Sequence, residues 1–119
     1  MPSYIDNKGR IITLRPITVA TLMKARSDGF AWFARIEELD ATLLDPVRLC
    51  EACAICTGLT VDEIAAGLSG DALETAQDAV VEALADFYPA RISRAIRAGI
   101  KSMRERIDQA IEPAATSED

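Results

Sequence analysis

Two short runs of β-prone residues near the N-terminus flank a polar turn. Tyr4-Ile5 and the run from Ile11 to Leu14 lie on either side of Asp6-Asn7-Lys8-Gly9, where Gly9 can adopt a positive φ. The pattern predicts a β-hairpin over residues 3–14. Because an isolated two-stranded hairpin is only marginally stable in water, we expect it to pack on helices or to join the sheet of another chain.

After the hairpin, the apolar residues recur at helical spacing. Thr18, Asp45 and Thr60 are suitable N-caps, and Gly58 is a suitable C-terminal cap. The pattern predicts helices over about 19–27, 30–39, 46–57, 61–66, 72–87 and 90–111. We therefore expect a mainly α fold, a small helical domain of five or six helices with an N-terminal β-hairpin.

No internal repeat or long linker divides the 119 residues. One domain is therefore predicted over residues 1–112, followed by a disordered acidic tail over 113–119. The first residues lack an apolar leader segment and no run of about 18 apolar residues occurs, so neither a signal peptide nor a membrane span is expected. An odd number of cysteines without an export signal favours reduced thiols and a cytoplasmic location.

The apolar helix faces are more extensive than a core of this size obviously needs. They comprise an aromatic cluster, a stripe on the helix over 72–87 and a stripe on the last helix. The candidate partner-binding residues among them are Phe30, Trp32 and Phe33 of the cluster and Ile92, Ile96, Ile100, Met103 and Ile107 of the last helix. Each stripe can be core or interface, and surplus apolar surface that stays exposed indicates a partner.

The charged residues are segregated along the chain, and the formal net charge of −6 argues against general binding to nucleic acid or anionic membranes. The last helix nevertheless carries a basic stripe, whose candidate partner-binding cations are Arg94, Arg97, Lys101 and Arg104. The stripe can be a solvated helix face, pair with acidic residues of the preceding helix within the chain or across an oligomer, or bind an acidic protein, a membrane surface or RNA. The absence of aromatic residues from this helix favours a solvated face or a protein partner over nucleic acid.

Cys50, Cys53 and Cys56 follow one another at intervals of three residues. Such a run resembles part of an iron–sulfur cluster loop, which needs a fourth thiolate and an irregular segment in which the sulfurs converge. This chain has no fourth cysteine and no histidine, and good helix formers separate the cysteines. A site completed by a ligand from a substrate stays open, but packing of three small apolar side chains on one side of a helix is the favoured interpretation. We expect no metal and no cofactor.

No catalytic constellation emerges from the sequence. Histidine, the commonest general base, is absent, and neither a nucleophile elbow nor a phosphate-binding glycine loop is present. The segment 59–84 has the order of a helix-turn-helix, but its second helix carries acidic residues that phosphates would repel. We therefore predict a protein that acts by binding and is not an enzyme.

Two segments together resemble a known family. GRIITLRPITVATLMKA, residues 9–25, is a strand followed by an LRPIT entry into a helix. CTGLTVDEIAAGLSGDALETAQDAVVEALADF, residues 56–87, leads into an apolar helix that ends in phenylalanine. This order of features resembles the tail assembly chaperones of long-tailed bacteriophages, in particular the Mu-like and P2-like group. The likeness covers about residues 9–88 and leaves the basic last helix and the acidic tail outside it.

The resemblance implies a non-enzymatic function. Chaperones of this family bind the long, aggregation-prone tape-measure protein in the cytoplasm of the host bacterium before the tail tube polymerises around it, and a frameshifted longer form can recruit tail tube subunits. The expected partners are therefore the tape-measure protein and the tail tube protein, with a homo-oligomer as a further option. Two alternatives stay open: a phage or prophage inhibitor that blocks tail assembly or a host factor, and a nucleic-acid-binding regulator that uses the last helix.

Overall fold

The computed structural model describes residues 1–116, with side chains described as far as Ile111. Over this range the chain is mainly α, as predicted, and carries the predicted N-terminal hairpin. The strands are β1 Ser3–Ile5 and β2 Ile11–Thr13, and the α-helices are α1 Val19–Ser27, α2 Leu39–Leu44, α3 Pro46–Thr57, α4 Val61–Ala65, α5 Asp71–Phe87 and α6 Ala90–Thr116. Within the described range, no helix is long and apolar enough to cross a membrane.

The hairpin is antiparallel and packs on helices of its own chain. Tyr4 pairs with Ile12, and both point into the core, where β1 lies against α5. At the turn, the buried carboxylate of Asp6 accepts hydrogen bonds from the Arg10 amide (2.8 Å) and the Arg10 guanidinium (2.7 Å). Burial acts to raise the pKa of Asp6, but these hydrogen bonds outweigh it and hold the pKa below its usual value.

The helix predicted over residues 30–39 is wrong. Residues 31–38 form turns and one 3₁₀ turn, and α2 follows them. The reason is tertiary. Phe33 is buried in the core, and the backbone at Ala34 takes a left-handed conformation with φ 64°, which a right-handed helix cannot contain. The hydroxyl of Tyr88, far along the chain, donates to the Ala34 carbonyl and stabilises this bend.

The caps predicted for α3 and α4 are confirmed. The Asp45 carboxylate accepts a hydrogen bond of 2.9 Å from the Val47 amide at the start of α3. Gly58 ends α3 in the left-handed region, with φ 78°. Thr60 and Glu63 then form the reciprocal capping box of α4. These local signals fix where α3 ends and where α4 begins.

α5 and α6 form an antiparallel helical hairpin. Tyr88 and Pro89 connect them, and the Ser93 hydroxyl donates to the Ala85 and Tyr88 carbonyls. α6 has 27 residues and α5 has 17, so the end of α6 extends beyond the start of α5. α6 is also longer than predicted, because its backbone stays helical to Thr116, while residues 117–119 of the predicted tail lie outside the described residues.

Candidate partner-binding groove

Four of the residues that the sequence suggests for partner binding belong to the core. Phe33, Ile96, Ile100 and Met103 each expose 5% or less of their surface. They share one cluster with buried residues of α5. The apolar stripe of α6 is therefore the face that α6 turns toward α5, and we correct the assignment of these four residues from interface to core.

Three more predicted residues are half-buried and pack against this core: Phe30, Trp32 and Ile92. The Trp32 ring packs edge-on against Phe30, with 6.1 Å between the ring centres. The Arg48 guanidinium lies 5.1 Å from the centre of the Trp32 ring, a cation–π contact. The aromatic cluster is thus mainly a structural element, and only its edge is open to a partner.

Two of the predicted cations pair with acidic residues of α5. Arg97 forms a two-pronged ion pair with Glu82, and Arg104 pairs with Asp78. The hydrogen bond from Arg97, together with its charge, lowers the pKa of Glu82. For Arg97 and Arg104, the structure therefore shows pairing with the preceding helix of the same chain, which is one of the possibilities given for the basic stripe.

Three predicted residues stay on the surface. Arg94 and Lys101 are exposed and form no ion pair with any residue whose side chain is described. Ile107, near the overhanging end of α6, exposes 38% of its surface. The structure therefore does not gather the predicted site residues into one surface.

A groove of about 650 Å³ separates α1 from α3 and the start of α4. Its apolar lining includes Ala20, Ala25, Phe30, Ala54, Ile55, Cys56, Leu59 and Val61, and its polar rim includes Arg15, Thr21, Lys24, Asp28 and Thr60. Along the rim, Lys24 and Asp28 form an ion pair of 3.2 Å. An apolar lining with a polar rim is the arrangement of a binding site for an amphipathic segment.

α1 forms one wall of the groove and is held to the body through Leu22, through Ala25 and through the segments on either side of the helix. Ala25 is the one buried residue of α1, and its carbonyl accepts a 2.8 Å hydrogen bond from the Phe30 amide. Before α1, the Arg15 amide donates to the Cys56 carbonyl at 2.8 Å, and the Arg15 guanidinium passes over Gly58 to the Thr57 carbonyl. Between these anchors, Leu22 is half-buried and packs against the core, and it is not among the residues that line the groove.

Sequence reasoning identified Phe30 but missed the rest of the apolar lining. Ala20 and Ala54 are too small to mark an interface in a hydrophobic pattern. The available signal lay between α3 and α4, where Leu59 and Val61 flank the Thr60 N-cap. In the structure, both side chains are at least one-third exposed, so no neighbouring element covers them fully.

The three cysteines are buried on α3, as the packing interpretation predicts. Burial raises the pKa of the Cys53 and Cys56 thiols to about 12 and also raises that of Cys50. The Cys50 thiol donates to the Val61 carbonyl at 3.4 Å. Thiols that resist ionisation are poor nucleophiles. Among the described residues, no group of three or more His, Cys, Asp or Glu side chains is placed to hold a metal ion.

The fold and the groove define a class: a small, mainly α domain with an N-terminal hairpin and one face suited to binding an amphipathic segment. No family model matches the chain, and no curated protein or solved structure matches it.

Proposed function

We propose that this chain is a phage or prophage tail assembly chaperone that holds an amphipathic helix of the tape-measure protein in the α1–α3 groove. The observation that carries the proposal is the groove itself, with its apolar lining, its polar rim and a volume of about 650 Å³. An amphipathic helix occupies such a groove with apolar side chains one turn apart, while its polar face stays in water.

The resemblance to tail assembly chaperones supports the same location. The two resembling segments, 9–25 and 56–87, are far apart in the sequence, yet they meet at the groove. The first supplies Arg15 and Ala20 of one wall, and the second supplies Leu59 and Val61 of the other. The two segments that resemble the chaperones therefore meet at the same groove whose apolar lining and polar rim suit an amphipathic helix.

The charge distribution favours a protein partner over nucleic acid. Arg97 and Arg104 are engaged with carboxylates of α5, so the basic stripe presents less free positive charge than its sequence suggests. The net charge of −6 would repel a phosphate backbone and would help to keep a chaperone with an empty groove in solution.

The test uses the tagged full-length chain as bait in bacterial cells in which a long-tailed phage or prophage is induced. We expect the tape-measure protein of that phage in the eluate. Ala20→Glu places a carboxylate in the apolar groove and should weaken capture at least about tenfold. Val19→Glu is the matched control, because Val19 is the neighbouring residue, is 63% exposed and lies outside the groove lining.

An eluate that contains host proteins or nucleic acid but no tail component would contradict the proposal. Equal capture by the Ala20→Glu and Val19→Glu variants would contradict the proposal that the groove is the binding site. Overproduction of the chain separates the chaperone from the inhibitor alternative, since a chaperone should sustain or raise the yield of virions and an inhibitor should lower it.

A further inference from the structure

The outer face of the N-terminal hairpin carries an apolar pair. Ile5 and Ile11 are cross-strand partners, and they are 61% and 72% exposed. They point away from the core, because side chains alternate along a strand and the neighbouring residues Tyr4 and Ile12 are buried. The hairpin alone therefore leaves two adjacent aliphatic side chains in water, and a further strand beside them would cover part of that surface.

β2 has an open hydrogen-bonding edge beside this pair. The Leu14 amide, just after β2, donates to the Pro2 carbonyl at 2.8 Å. Since residues of an antiparallel pair alternate between bonding across and pointing outward, the N–H and C=O groups of Ile11 and Thr13 point away from β1. None of these four groups has a backbone hydrogen-bond partner within the part of the chain that the structure describes. The strand that lies against α5 is β1, so the outer edge of β2 is free to bond to another strand.

Nothing along this edge protects it from pairing. Edge strands of natural proteins are usually guarded by proline, by a charged side chain or by a bulge. Residues 11–13 are Ile-Ile-Thr and pair with β1 in regular register. The cation next to them, Arg10, is folded back, because its guanidinium donates to the Asp6 carboxylate at 2.7 Å and to the Glu63 carbonyl at 2.8 Å. A strand can therefore approach the edge without breaking an ion pair.

The open edge is also short. On one side of it, the Arg15 amide is already bonded to the Cys56 carbonyl at 2.8 Å, and on the other side the Gly9 amide is bonded to the Asp6 carbonyl at 3.0 Å. A long extended segment would find no free amide beyond residues 11–13. The edge therefore fits a strand of about three residues, and β2 itself is such a strand.

We propose that the occupant of this edge is β2 of a second copy of the chain, antiparallel to the first about a two-fold axis at Ile12. An isologous contact needs a surface that complements itself when it is reversed. This edge does so, because the N–H and C=O groups of Ile11 face the C=O and N–H groups of Thr13 of the partner subunit, and the converse holds across the axis. All four open groups of each chain are paired, in one sheet of four strands.

The same register covers the apolar pair. Ile11 lies opposite Thr13 of the partner subunit and diagonal to Ile11 of the partner subunit, within reach of both side chains. The exposed surface of Ile11 is therefore reduced on the side that faces the axis. Burial of this residue adds a hydrophobic contribution to the backbone hydrogen bonds.

Association should be weak. Three residues at about 3.4 Å each give a seam of only about 10 Å. A contact of this length stays well below the roughly 1,200 Å² that the smallest standard interfaces bury. We therefore expect a dissociation constant on the order of 100 µM and a monomer at low concentration.

The test is sedimentation equilibrium of the purified full-length chain up to about 1 mM, about ten times the expected dissociation constant. We expect a mass that rises with concentration from 12.9 kDa toward twice that value. Hydrogen exchange followed by NMR identifies the contact. The amides of Ile11 and Thr13 should exchange about fourfold more slowly at about 1 mM than at about 10 µM, whereas the amide of Ser3, on the outer edge of β1, should not change.

Thr13→Pro removes a donor that the dimer needs and that the monomer leaves unused, so it should weaken the dimer at least about tenfold. Ser3→Pro is the matched control, because it removes an outward-pointing donor from the opposite edge of the hairpin and should leave the dimer unchanged. Ile11→Lys gives an independent check at an exposed position. It brings two ammonium groups together near the axis and should weaken the dimer at least about tenfold without lowering the Tm of the monomer.

A chain that stays monomeric to about 1 mM would overturn the proposal and would leave the edge to an extended segment of a different protein. So would a dimer in which the amides of Ile11 and Thr13 are not protected, or one that Ser3→Pro weakens as much as Thr13→Pro does. Failure of this test leaves the proposed chaperone function unaffected, since residues 11–13 are not among those that line the α1–α3 groove.

Discussion

Replacement of the three cysteines by alanine tests whether they serve packing or chemistry. Cys53 is fully buried, and Cys50 and Cys56 are 5% and 2% exposed. Each Cys→Ala change removes one sulfur atom, comparable to a buried methylene group, and should cost about 1 kcal/mol of unfolding free energy. The triple variant should therefore lose about 3 kcal/mol if the effects add, and somewhat less if the core relaxes around neighbouring sites.

Thermal and urea unfolding followed by circular dichroism measure this effect. For a domain of this size, about 3 kcal/mol corresponds to a fall in Tm on the order of 10 °C. Leu49→Ala on the same helix is the control for a larger cavity, because Leu49 is fully buried and its truncation should cost about 2–5 kcal/mol alone. Binding to a partner should be unchanged in the triple variant at temperatures where it is folded.

Thiol alkylation provides a second measurement on the native protein. Because burial raises the pKa of Cys53 and Cys56 to about 12, their thiols should react with iodoacetamide only after unfolding. Fast labelling of the folded chain would refute the packing argument. Iron or zinc that copurifies in stoichiometric amount, with loss of the fold when a chelator removes it, would refute it as well.

Two further changes test features of the structure. Gly58→Ala should destabilise the fold, because a Cβ at this left-handed position would displace the Arg15 guanidinium, and the loss should be smaller when Arg15 is itself replaced by alanine. Equal losses in the two backgrounds, read from urea midpoints, would contradict this role of Arg15. The pKa of Glu82 is lowered by its pairing with Arg97, so the pair stabilises the fold above the usual carboxyl pKa, and this stability is lost as the pH falls below about 4.5. Glu82→Gln should therefore make the free energy of unfolding depend less on pH on the acid side. An unchanged pH profile would count against the ion pair.

Much of the architecture follows from signals confined to a few residues. The turn of the hairpin and the caps Thr18, Asp45 and Thr60 depend on side chains that bond to backbone within two to four positions. Because such interactions involve only neighbouring residues, the sequence alone predicts the helices and the turn that they delimit. The regular stripe of α6 likewise identified a buried helix face, although not whether that face meets α5 or a partner.

The segment from Phe30 to Leu39 shows where local reasoning fails. Its residues have helical spacing, but burial of Phe33 and the bond from Tyr88 to the Ala34 carbonyl impose a bend. Tyr88 lies 54 residues away in the sequence, so no local pattern contains this information. Tertiary packing overrides helix propensity because burying an aromatic ring is worth more than a turn of helix.

The sequence by itself determined the helical class, the hairpin, most helix ends and the helical placement of the cysteines. Only the tertiary structure decided which apolar faces became core and which stayed open. The α1–α3 groove joins residues such as Ala20 and Leu59, and the ion pair of Arg97 with Glu82 joins two helices. These features depend on distances between elements, and those distances are set by how all the side chains pack together.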